Sequence, residues 1–323
     1  MTVTLETPAK HRRISFGLGR FSGLYLLALF ILGFSLWEPD LFPTMGTVHS
    51  IASGNAVAGM LALAVLVPLV AGAYDLSVGA VANFAAILVV EFQNEAHWSV
   101  VAAILATVLI TTLIGAFNGL LVVKFGVSSF IATLGMATIV TALQGIVSGE
   151  VQPSPPLSSA WNNLTSHTVF GFQIIFLYLI ILAVVIWWAL EHTPAGRYLH
   201  AVGGNSEAAR LAGVRVDNWT WISLMASAAL AGISGVLYSS LSGPSLTFGT
   251  DLLLPAFAAV FLGATQLRPG RFNVWGTMLA VFVLATGEVG LSLATGVQWL
   301  NDMFSGVALI VAVAFAVWRQ RKA

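Results

Sequence analysis

The chain has 323 residues, 58% of them hydrophobic and 8% charged, where soluble domains carry about 45–50% apolar and about 25% charged residues. That balance excludes a soluble domain, because a folded protein in water must cover itself with polar side chains. Thirteen Lys and Arg offset thirteen Asp and Glu, so no basic field exists to hold a nucleic acid, and the absence of cysteine removes disulfides, thiolate catalysis and Cys-ligated zinc.

Membrane lipid is therefore the expected solvent, and a hydrocarbon core about 30 Å thick takes about 20 helical residues to cross. Stretches free of Asp, Glu, Lys and Arg occur at 21–37, 41–74, 76–90, 96–123, 125–149, 151–190, 218–250, 252–267, 272–287 and 303–318. They predict an all-α integral membrane protein with about ten transmembrane helices. The run 21–37 exceeds the about 7–15 apolar residues of a secretory signal core, so it is read as an uncleaved span. Pro68 and Pro255 are expected to break their helices, since proline removes a backbone donor and clashes with the preceding turn. The layout is a tail at 1–20, one membrane domain at 21–318 with a polar loop at 191–217, and a second tail at 319–323.

Orientation follows from the basic residues, which concentrate on the cytoplasmic side of membrane proteins. With both termini inside, all of Lys10, Arg12, Arg13, Arg20, Lys124, Arg197, Arg210, Arg215, Arg268, Arg271, Arg319, Arg321 and Lys322 fall on that side. Glu38, Asp40, Glu91, Glu95, Glu150 and Asp251 fall outside or at the outer edge, and the tryptophans sit near span ends as interfacial rings do.

Enzyme chemistry has little support. Gly232-Ile233-Ser234-Gly235 matches a serine element of intramembrane proteases, but no histidine follows His200 to act as its base. Close helix packing through small residues is the better reading, as it is for Gly115 with Gly119 and Gly145 with Gly149. Lys10, Lys124 and Lys322 are the only lysines, and none follows a phosphate-binding glycine loop. The histidines have no metal-ligand spacing. No cofactor and no metal are expected in this chain. Acids within a membrane are functional candidates by default, which singles out Asp75 and Glu288; a place at a span end or in a water-filled vestibule is the favoured reading of both, and an ion or proton carrier the alternative. Asp75, Ser77, Asn83, Asn118, Thr133 and Gln144 are candidates for a hydrophilic translocation pathway; hydrogen bonding between helices is an equal alternative.

The loop at 191–217 predicts one short helix. Gly203-Gly204 frees the backbone, Asn205 or Ser206 caps the helix, Glu207 suits its positive end and Gly213 stops it. So short a helix is marginal alone, so Ala208, Ala209 and Leu211 are expected to pack on this protein or on a cytoplasmic partner.

The same loop carries a resemblance. Gly196-Arg197-Tyr198 and Ala201-Val202-Gly203-Gly204-Asn205, continuing through Glu207-Ala208-Ala209-Arg210-Leu211-Ala212-Gly213-Val214, resemble the cytoplasmic loop of permease subunits of bacterial ribose/xylose-type ABC importers. Asp75-Leu76-Ser77-Val78-Gly79, Asn118-Gly119-Leu120-Leu121, Phe130-Ile131-Ala132-Thr133-Leu134-Gly135 and the region Gly263 to Thr277 are similar to further motifs of that family, in its order. The resemblance implies a permease fold in the bacterial inner membrane, moving a sugar or sugar-like solute between two permease subunits. It also implies a solute-binding protein outside and a cytoplasmic ATPase that holds ATP and Mg2+. Residues 205–213 would be the coupling helix, with Gly203, Gly204, Asn205, Glu207, Ala208, Ala209, Arg210, Leu211 and Gly213 at the ATPase contact. Ala264 and Arg268-Pro269 depart from the family pattern. Apart from the resemblance, a proton-coupled secondary transporter is the alternative.

Overall fold

In a computed structural model that describes residues 21–320, the chain is helical almost throughout. A backbone in lipid has no water to bond, so apolar stretches close their own hydrogen-bond ladders. In chain order the helices are α1 (Ser22–Trp37), α2 (Met45–Gly54), α3 (Ala56–Val70), α4 (Val78–Asn94), α5 (Val100–Lys124), α6 (Ser129–Ser148) and α7 (Ser159–Ser166). A hairpin of β1 (Thr168–Val169) and β2 (Phe172–Gln173) follows, then α8 (Ile174–His192), α9 (Pro194–Gly204), α10 (Ser206–Leu211), α11 (Val216–Ser242), α12 (Phe248–Gly263), α13 (Val274–Thr295) and α14 (Gln298–Gln320). Ser99, Ser128 and Asn273 cap α5, α6 and α13 by accepting a first-turn N–H.

Six segments among the described residues are long and apolar enough to cross a membrane: Met45–Val70, which takes in α2 and α3, and then α5, α6, α8, α11 and α13. The helices α1, α4 and α12 are apolar but shorter. Each stretch picked out from the sequence holds a helix, with two revisions. The run 41–74 divides at Asn55 into α2 and α3, and 151–190 contains α7 and the hairpin before α8 begins. The expected break at Pro255 does not occur, because α12 is packed between α3, α4, α13 and α14, which hold its axis despite one missing ladder bond. Pro68 sits in the last turn of α3.

The core is a layer of α3 and α4, buried along almost their whole length, with α11 packed across α3, α4 and α5. Small residues allow the approach: a Cβ on Gly115 would stand 2.5 Å from the Leu224 carbonyl oxygen, and one on Gly235 would collide with that of Ala82. Ser234 donates to Leu230 within α11, so the Gly232–Gly235 element is packing. The pair Gly145 and Gly149 does not pack helices. Gly145 faces open space apart from the Glu150 side chain, and Gly149 takes φ +59 as the left-handed cap of α6. Outer helices bury one stripe, as α5 does with Ala103, Thr107, Thr111, Gly115 and Asn118, while Leu105, Leu109 and Leu113 remain exposed. That is the pattern of a helix facing lipid or a second subunit on its other side.

The loops gather at two ends. One end joins Asn94 to Ser154, Gln144 to Leu246, and Ser53 to Gln173 by hydrogen bonds. The other joins Tyr74 to Ser129 and Arg268 to Glu191. Lys124, Arg197, Arg210, Arg215, Arg268 and Arg271 belong to the second end, whereas Glu38, Asp40, Glu95 and Glu150 belong to the first. The predicted tail at 1–20, with Lys10, Arg12, Arg13 and Arg20, lies outside the described residues, as do Arg321 and Lys322. Because the chain has no cysteine, orientation is directly measurable. In intact cells, an impermeant maleimide is expected to label Ser154→Cys and to leave Ala212→Cys unlabelled; the reverse pattern refutes the orientation.

Candidate functional site

An open groove of about 930 Å³ lies between α4, α6 and α12. Its polar lining is Thr138 and Thr141 on α6, Thr250 on α12, and Glu150 at the outer mouth, with Leu76 and Gly145 among the other wall residues. Thr138, Thr141 and Thr250 donate their hydroxyl protons to Leu134, Ala137 and Thr247, carbonyls three or four residues earlier. Each therefore presents oxygen lone pairs to the groove, and among the described residues no Lys or Arg lines it. Such a wall accepts hydrogen bonds from hydroxyl groups and offers nothing to compensate a buried anion.

The six pathway candidates from the sequence are not among its lining residues; Thr133, Asn83 and Gln144 tie its walls together, and Asp75, Ser77 and Asn118 join α4 to α5. Thr133 accepts the Leu76 N–H at 3.0 Å. Asn83 accepts the Gly249 N–H at 2.6 Å and donates to Thr250 Oγ1 at 3.4 Å. Gln144 donates to the Leu246 carbonyl at 3.1 Å. Asp75 is fully buried, and its Oδ1 accepts from both the Ser77 N–H at 3.0 Å and the Ser77 hydroxyl at 2.6 Å. Asn118 of α5 then donates to Ser77 Oγ at 3.0 Å. Thus Asp75 and Ser77 fix the start of α4 and link it to α5. Glu288 on α13 accepts from Ser305 of α14. The groove threonines were missed; their only signal is the i, i+3 spacing of Thr138 and Thr141 ahead of Gly145.

At the basic end, α10 forms as its local sequence dictates. Asn205 accepts the Ala208 N–H at 3.0 Å, and Gly213 at φ +84 ends the helix while its N–H bonds the Arg210 carbonyl at 3.0 Å. Ala209 alone of the helix is buried, against Val202 and Val216. Ala208 is exposed and Leu211 is 90% exposed, so neither is covered by the described residues. Glu207 is exposed, and Arg210 pairs with Asp217 at 3.0 Å. Gly203 and Gly204 do not interrupt the chain, because α9 runs through both. Gly204 meets nothing, but a Cβ on Gly203 would collide with the Val70 carbonyl oxygen and crowd Gly72. Helix α9, which carries α10, therefore rests directly on the end of α3, six residues before Leu76 enters the groove wall.

A second link crosses from the α12–α13 turn. Arg268, where the sequence departs from the family pattern, bonds Glu191 at the end of α8. Arg271 Nε donates to His200 Nδ1 at 3.4 Å. Burial, reinforced by the Arg271 charge, holds the His200 pKa down at about 4, so the imidazole stays neutral and able to accept that bond. Among the described residues no group of His, Asp and Glu is arranged to hold a metal.

The sequence matches the family described as "Branched-chain amino acid transport system / permease component" over residues 48–313. It is 28% identical over 318 residues to the ribose import permease protein of Bacillus subtilis, covering 96% of this chain and 97% of that one. The ribose import permease protein of Escherichia coli K12 is 29% identical over 302 residues, 90% of this chain and 91% of its own. The fructose import permease protein of Rhizobium meliloti is 27% identical over 311 residues, 93% of this chain and 86% of its own. With a groove through the helices, a helix set out from one end, and a family match across most of its length, the chain belongs to the permease-component family of branched-chain amino acid-type transport systems.

Proposed function

We propose that this chain is the membrane-spanning subunit of a binding-protein-dependent ABC importer in a bacterial inner membrane, carrying a sugar or sugar-like neutral solute. It crosses ten times, by the six long segments together with α1, α4, α12 and α14, and both termini are cytoplasmic. Its groove, closed by a second permease subunit, is the path; α10 seats in a separate ATPase that binds ATP and Mg2+, and a solute-binding protein delivers at the acidic end. The observation that carries this reading is α10 itself, a helix capped at both ends whose Leu211 is held out at the basic end with none of the described residues covering it. Neither the family nor the relatives support a proton-coupled mechanism.

Two measurements test the reading. Purified alone, the chain is expected to show no ATP hydrolysis, while the assembled complex in proteoliposomes hydrolyses ATP faster with solute-loaded binding protein. Filling the groove by Thr141→Trp is expected to cut uptake at least about tenfold, with little loss of stability because Thr141 is exposed. Normal uptake through the filled groove moves the path elsewhere.

A further inference from the structure

The β1–β2 hairpin at the acidic end has a tip that the fold of this chain does not account for. Thr168 pairs with Gln173 and Val169 with Phe172, leaving Phe170-Gly171 as a two-residue turn. Both take positive φ, +52 for Phe170 and +85 for Gly171. Glycine and asparagine adopt that conformation readily, whereas a bulky side chain there is an outlier. The ring of Phe170 is 95% exposed.

The hairpin beneath it is firmly braced. The Phe172 ring meets His49 edge-on with centroids 4.5 Å apart, the Gln173 N–H donates to Ser53 Oγ at 3.2 Å, and Gly171 lies so close to the His49 ring that a Cβ would collide. A cavity of about 450 Å³ lined by His49, Ser50, Ser53, Thr168 and Gln173 opens at its base, and His49 Nε2 has no hydrogen-bond partner there. An aromatic on a strained turn, carried by a braced hairpin and held into solvent above a polar hollow, suits insertion into a partner protein. It does not suit a bilayer, which would meet that polar surround.

Charge narrows the partner. Asp40, Glu95, Glu150, Asp251 and Asp302 are exposed at this end, and no Lys or Arg of the described residues belongs to it. Resting on the permease reading above, we infer that Phe170 is the anchor by which the solute-delivering protein docks, entering an apolar pocket whose rim on that protein is rich in Lys and Arg. The aromatic supplies the desolvated contact and the acids steer the encounter.

The test uses the whole complex reconstituted in nanodiscs, its ATP hydrolysis titrated with solute-loaded binding protein. Phe170→Gly keeps the turn, because glycine favours that backbone, and removes the ring. It is expected to raise the half-saturating concentration of binding protein about 10-fold, with basal hydrolysis and the maximal rate unchanged, and Phe170→Tyr is expected to restore it. Asp40→Lys with Glu95→Lys is expected to raise half-saturation and to abolish its increase with salt. An unshifted titration for Phe170→Gly, in a complex whose parent is stimulated normally, overturns the anchor and leaves the permease reading standing. No stimulation of the parent removes the permease reading and the anchor with it. A bimane label on Phe170→Cys is expected to shift its emission on adding binding protein; quenching by brominated phospholipid without that protein assigns the tip to the bilayer and also overturns the proposal.

Discussion

Replacing Leu211 by Asp is expected to abolish ATP-driven uptake while leaving the membrane domain as stable as the parent. Leu211 is 90% exposed, and α10 is held to the chain by buried Ala209 and by the Arg210–Asp217 pair, so the substitution removes no internal contact. Surface changes of that kind usually alter stability by less than about 0.5 kcal/mol. At the docking face the same change puts a carboxylate where an apolar anchor would be desolvated, and losses at such positions reach about 2 kcal/mol or more. Reversing Glu207 and Arg210 together is expected to weaken the assembly further, since Arg210 also loses its bond to Asp217 at 3.0 Å. Co-purification of the ATPase, uptake by whole cells and thermal unfolding of the isolated permease separate the outcomes. Retained ATPase and uptake in both variants would show that α10 is not the contact.

The second large effect is at Asp75, where charge and hydrogen bonding are separable. Asp75→Leu strips the partner from the Ser77 N–H and hydroxyl and disturbs Asn118, all in a site closed to water. Each buried donor left unpaired costs about 1–3 kcal/mol, so a destabilisation on the order of 3–5 kcal/mol is expected, visible as loss of folded protein in the membrane. Asp75→Asn keeps an acceptor at Oδ1 and should fold and retain part of its uptake. A proton carrier cannot work as the neutral isostere. Accumulation by intact cells with a protonophore present and ATP maintained completes the test. Uptake abolished both by the protonophore and by Asp75→Asn would establish proton coupling; persistence in both is the expected result.

Sequence alone determined what depends on local chemistry and on the solvent. Scarcity of charge fixed lipid as the medium, and lipid leaves helices as the way for this chain to satisfy its backbone. Asn205, Glu207 and Gly213 specified α10 to within a residue at each end, because a cap and a left-handed stop act over a few bonds. Which face of a membrane helix looks inward is a different matter. In water an apolar stripe marks the buried side, but α3 is apolar all round because it is buried all round, and α5 reverses the rule, burying Thr107, Thr111 and Asn118 while Leu105, Leu109 and Leu113 face outward. Polar residues were therefore legible as important without revealing their direction. Tertiary structure gave Asp75, Ser77, Asn83, Asn118, Thr133 and Gln144 to hydrogen bonds among the helices and set Thr138, Thr141 and Thr250 in the groove wall. It also changed the meaning of Gly203, whose missing side chain serves the Val70 carbonyl of a helix more than 130 residues earlier. Contacts between helices distant in sequence decide such roles, and no local pattern encodes them.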